Sequence, residues 1–74
     1  MDQHEPEWLK DAAYNYCCEA YAQGKSFLVV ARKLTRLGVP RHRAKRMARH
    51  VIRHGKFLWK GRLTPLRTLE KEGK

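Results

Sequence analysis

Between Ala20 and Leu69 the chain contains no aspartate or glutamate. That gap excludes much chemistry. A metal-dependent nuclease needs carboxylates to hold its metal, and the basic region offers none. Here the acids stand only near the two ends: Asp2, Glu5, Glu7, Asp11 and Glu19 at one, Glu70 and Glu72 at the other. Cysteine is nearly as scarce. Cys17 and Cys18 are adjacent, a spacing that suits a cross-link poorly, so no disulfide framework is expected and a reducing, cytoplasmic setting is. The longest uninterrupted apolar run is the five residues from Phe27 to Ala31, far short of the roughly 20 that span a bilayer. The opening residues show no basic segment leading into an apolar stretch, so neither export nor a membrane partner is expected. Phosphate-cradling glycine loops, internal repeats and low-complexity tracts are missing as well.

What the chain has in abundance is positive charge. Its 74 residues carry a formal net charge of +10. The sum hides an asymmetry, because residues 1–24 hold five acids against Lys10 alone, while residues 25–67 hold fourteen lysines and arginines with no acid among them. A folded surface can use both signs for solubility, so a one-sign stretch of this length implies a polyanionic partner or an acidic protein surface.

A chain this small forms one domain at most, with a thin core. Three segments have helical periodicity. The first starts at Pro6, carries Trp8, Leu9, Ala12, Ala13, Tyr16, Cys17, Ala20 and Tyr21 as its apolar stripe, and should end at Gly24. The second opens at Ser26, whose hydroxyl can accept from a first-turn amide, and runs through Phe27, Leu28, Val30, Ala31, Leu34 and Leu37 to Gly38. The third, over residues 40–54, places Ala44, Met47, Ala48, Val51 and Ile52 on one face and closes at Gly55.

Lys56 to Gly61 encloses a short apolar cluster that could plug the core, form an edge strand or stand exposed as an anchor. The expected architecture is therefore all-α: a small three-helix domain with a helix-turn-helix-like hairpin and a short C-terminal extension. Residues 1–62 would form a single helical domain. Residues 63–74 would be a tail, either frayed or a short helix over 65–72.

Helices 2 and 3, joined through Leu37, Gly38, Val39 and Pro40, suit a helix-turn-helix in which the basic helix 40–54 meets DNA. Arg41, Arg43 and Arg46 near its start would approach base edges or the first phosphates. Lys33, Arg36, Arg49 and Arg53 would contact backbone, and Lys45, Lys56 and Lys60 complete the basic set. RNA is the second nucleic-acid candidate. Trp59, between Lys56, Lys60 and Arg62, has surroundings that suit base stacking, but Phe57 and Trp59 read better as packing over the ends of helices 1 and 2. Trp8, Tyr14, Tyr16 and Tyr21 lie on the acidic helix and read as core or protein interface.

His50 and His54 have the i, i+4 spacing of paired metal ligands, yet Arg46, Arg49 and Arg53 beside them oppose a cation; they suit polar contacts or added positive charge at mildly acidic pH, and no metal site is expected. No nucleophile–base grouping or cofactor motif has supporting spacing, so the expectation is a regulatory or accessory binding protein, not an enzyme. The alternative is a protein-interaction module for an acidic partner. A homodimer, pairing acidic helix 1 with basic helix 3, would support so small a core.

From Ser26 through Gly55 the spacing resembles one three-helix repeat of the RecX-type recombination modulators. The resemblance rests on a Ser opening a helix, the Ala31-Arg32-Lys33-Leu34 segment, Leu37-Gly38-Val39, and a helix reaching Gly55. Helix 1 takes the place of that repeat's first helix. These residues supply one such unit where the family strings several together, and helix 3 is basic where the family tends to be acidic or mixed. The resemblance implies an inhibitor-like action on a nucleic-acid-processing protein.

Overall fold

Proline or serine opens each helix and glycine closes it. The computed structural model describes residues 6–67. Helix α1 runs Glu7–Gln23 between Pro6 and Gly24, α2 runs Phe27–Leu37 between Ser26 and Gly38, and α3 runs Arg41–His54 between Pro40 and Gly55. The boundaries follow from local chemistry. Proline has no N–H to leave unsatisfied at a helix start, and glycine turns the chain out of the last turn so that following amides bond back to otherwise orphaned carbonyls. Lys25 N thus donates to Ala20 O at 3.0 Å, and Val39 N to Leu34 O at 3.1 Å. Ser26 holds the expected position, but its hydroxyl makes no capping hydrogen bond.

Beyond Gly55 the all-α expectation is corrected. Strands β1, Lys56–Trp59, and β2, Arg62–Pro65, form an antiparallel hairpin in which Phe57 faces Thr64 and Trp59 faces Arg62. The turn between them is Lys60–Gly61, with φ of 46° and 83°. Positive φ at both central residues gives the turn whose twist matches that of paired strands. Such turns usually announce themselves as Asn-Gly or Asp-Gly, and Lys-Gly does not. The ordered hairpin extends through residues 63–65, and Pro65 lies in β2 where a helix over 65–72 would have begun; residues 68–74 of that expected tail lie outside the described residues.

The hairpin is fastened at its open end. Leu66 N donates to Gly55 O at 3.2 Å, and the Tyr14 hydroxyl donates to Pro65 O at 3.1 Å. Burial pushes the Tyr14 phenol above its ordinary range, helped by its hydrogen bond with Cys18 and opposed by Arg67, so at neutral pH it remains a donor.

Leu9, Ala13 and Cys17 from α1, Val30 and Leu34 from α2, Met47, Ala48 and Val51 from α3, and Phe57 from β1 close on one core. Five of the buried core residues are alanines, Ala13, Ala20, Ala31, Ala44 and Ala48, and Phe57 supplies the bulk that such small residues lack. Phe57 and Trp59 were expected over helices 1 and 2; instead β1 packs on α1 and α3. The Phe57 ring meets Tyr14 edge-on, with centroids 5.2 Å apart, and stacks on Trp59 at 5.7 Å. The Lys56–Gly61 segment is therefore both a strand and a core plug.

Candidate functional site

The site grows from the exposure pattern of α3. Ala44, Met47, Ala48 and Val51 are buried. At about 100° per residue, the direction opposite them is taken by His42, Arg46, Arg49 and Arg53, which fall within about 60° of one another. All four are exposed. They form one cationic stripe along the length of the helix. Its two borders differ in kind.

On the α2 side, Arg41 and Lys45 line an open groove together with Lys25, Leu28, Val29, Arg32, Lys33 and Arg36. The groove is about 1020 Å³ in volume. Leu28 and Val29 are 65% and 46% exposed, so aliphatic surface lies in the middle of the cations. Lys33 leans over α1, its ammonium 5.8 Å from the centroid of Tyr16.

On the hairpin side stands Arg43, which is half-buried with its guanidinium 4.8 Å from the centre of the Trp59 ring. A planar cation stacked on indole is attracted by the ring's negative face and loses rotamer freedom. Arg41 and Arg43 therefore stand on opposite borders of α3: Arg43 lines a pocket with Arg46, while Arg41 lines the α2 groove. Lys56 is exposed at the start of β1, and Lys60 stands at the hairpin tip. Lys60 also lines a depression with Glu7, Lys10, Asp11 and Trp59, which makes it the candidate nearest the acidic helix.

The electrostatic division survives folding. Among the described residues the acids are Glu7, Asp11 and Glu19, all on α1, whereas α2, α3 and the hairpin carry cations only. No protein-family model matches this chain, and neither a curated protein nor a solved structure matches it. The reading of the site rests on its own geometry.

The thiols and the paired histidines can also be placed. Cys17 and Cys18 are buried free thiols, and burial first, then the neighbouring Cys18, pushes the Cys17 thiol up to about 12. A thiol held neutral inside the core is no nucleophile. His50 and His54 are neighbours, with ring centroids 5.5 Å apart, and among the described residues no group of three metal-ligating side chains forms around them. Among the described residues no helix is long and apolar enough to cross a membrane.

Sequence reasoning left two groove residues out of the site. Lys25 and Arg32 join Lys33 and Arg36 around the α2 groove. Arg32 and Arg36, four apart, lie on the face opposite buried Val30 and Leu34, a signal that a helical projection of α2 contains.

Proposed function

We propose that this chain binds nucleic acid, DNA first, by laying the outward stripe of α3 along the phosphate backbone, and that it acts by binding, not catalysis. The observation that carries the reading is the alignment of Arg46, Arg49 and Arg53 with His42 on one exposed face while every described acid is confined to α1. Phosphates recur along a duplex as a regular line of negative charge, and a rod of cations is the complementary shape. Such contacts position the protein without reading sequence. Buried, unpaired thiols suit a reducing, cytoplasmic location.

Binding to duplex DNA, single-stranded DNA and RNA should be measured across salt concentrations. Neutralising five or six phosphates on duplex DNA, by the stripe together with bordering cations such as Arg41 and Lys45, gives a slope near −5 for the logarithm of the binding constant against the logarithm of salt. Arg46→Glu/Arg49→Glu should make that slope shallower by about 2. A flat salt response, or unchanged affinity in the double variant, overturns the reading.

Leu28 and Val29 support a second reading. A phosphate backbone gains nothing from covering aliphatic side chains, whereas an acidic amphipathic helix satisfies both the apolar ridge and the surrounding Lys25, Arg32, Arg36 and Arg41. On this reading the chain is a protein-interaction module, RecX-like in manner, and the acidic surface is that of a nucleic-acid-processing protein or of α1 in a second copy. Weak salt dependence on nucleic acid, together with loss of protein binding in Leu28→Lys, would favour it.

A further inference from the structure

The seam between α3 and the hairpin tip holds a pocket of about 250 Å³ lined by Arg43, Arg46, Met47, Leu58, Lys60 and Gly61. Three of these residues are cations, two are apolar, and none is a carboxylate. Its size admits one phosphate with an attached sugar and excludes a duplex.

Two features single out these cations. Arg43 lies over the Trp59 ring, its guanidinium carbon 4.8 Å from the centroid. Lys60 has a φ of 46°, in the left-handed region. A side chain bearing a Cβ is costly there, and the turn would be served better by asparagine or glycine. Lysine therefore puts a charge at the pocket rim at the expense of local backbone preference, a pattern associated with functional sites.

An internal phosphodiester carries a single negative charge and leaves along the strand in two directions, so cations reach it best from one side. Here cations approach from the helix and from the turn, and half-buried Leu58 offers apolar surface next to them, above the buried Met47. A phosphate monoester, close to a dianion at neutral pH, matches that charge and that enclosure. The adjoining depression sets Glu7 and Asp11 beside Lys10 and Lys60 and is near charge balance, so the α3 side is the more electropositive approach.

We propose that this pocket takes the terminal phosphate monoester of a nucleic-acid strand, with the attached sugar against Leu58. The proposal rests on the nucleic-acid reading, because Arg46 belongs to both the pocket and the α3 stripe. The chain would then prefer phosphorylated strand ends to uninterrupted backbone.

The test uses the full chain carrying Trp8→Phe, which leaves Trp59 as its one tryptophan. Trp59 emission and affinity are followed with a single-stranded oligonucleotide bearing a 5′-phosphate, the same oligonucleotide with a 3′-phosphate, the unphosphorylated form, and inorganic phosphate. One of the phosphorylated forms should bind about tenfold more tightly than the unphosphorylated form and change Trp59 emission saturably. Lys60→Asn, which suits the turn and so spares the hairpin, should abolish that preference, bringing the phosphorylated and unphosphorylated affinities within about twofold of each other. Equal affinity for all three oligonucleotides overturns the pocket and leaves the α3 reading standing. If no oligonucleotide binds, the α3 reading fails and inorganic phosphate decides the pocket: a saturable Trp59 response that Lys60→Asn removes supports it, and no response overturns it.

Discussion

The two borders of α3 carry the same charge and do different things with it. Toward α2, Arg41 and Lys45 are exposed around an open groove; toward the hairpin, Arg43 is half-buried and spread over Trp59. Exposed cations are hydrated and screened by salt, so they add attraction without fixing geometry. A cation set into packing adds less to the long-range field and more to stability and orientation. Formal charge read along a sequence counts both alike. The difference arises only when a hairpin folds against one border of the helix and leaves the other open.

The sharpest way to break the comparison is at the joint that makes the seam. Gly55 has a φ of 66°, and a Cβ there would come within 3.0 Å of the Tyr21 ring. Gly55→Ala should therefore destabilise the protein by about 1.5 kcal/mol, chiefly through left-handed strain, with the exposed end of Tyr21 moving aside, as read from urea denaturation. A smaller effect separates the two borders directly. Arg43→Ala should cost about 1 kcal/mol through the lost stack and its packing, whereas Lys45→Ala should stay within about 0.5 kcal/mol of the parent. Equal losses in the two variants would erase the distinction.

Much of the helical framework was legible because its signals are local. Pro6, Gly24, Ser26, Gly38, Pro40 and Gly55 mark helix ends by backbone chemistry that needs no tertiary context, and the stripe of Ala44, Met47, Ala48 and Val51 has one period throughout. The hairpin was harder to read. Its turn is made by Lys60 in a conformation that lysine rarely adopts, and β2 is exposed at every position, so no alternation of burial marked it as a strand. Of the candidate site, the outward placement of Arg46, Arg49 and Arg53 follows from periodicity alone. The fate of Arg43 does not, because it depends on where Trp59 lands. The amphiphilic groove was hidden for a similar reason: Leu28 reads as an apolar helix position, and only packing shows that it remains exposed among cations.

Titrating duplex DNA into isotope-labelled protein, and following the arginine side-chain signals beside the methyl signals of Leu28 and Val29, tests the central claim most directly. The account predicts that Arg46, Arg49 and Arg53 shift together in a salt-sensitive manner while the Leu28 and Val29 methyls stay in place. Shifts confined to the α2 groove, or no shift along α3 at low salt, would contradict it.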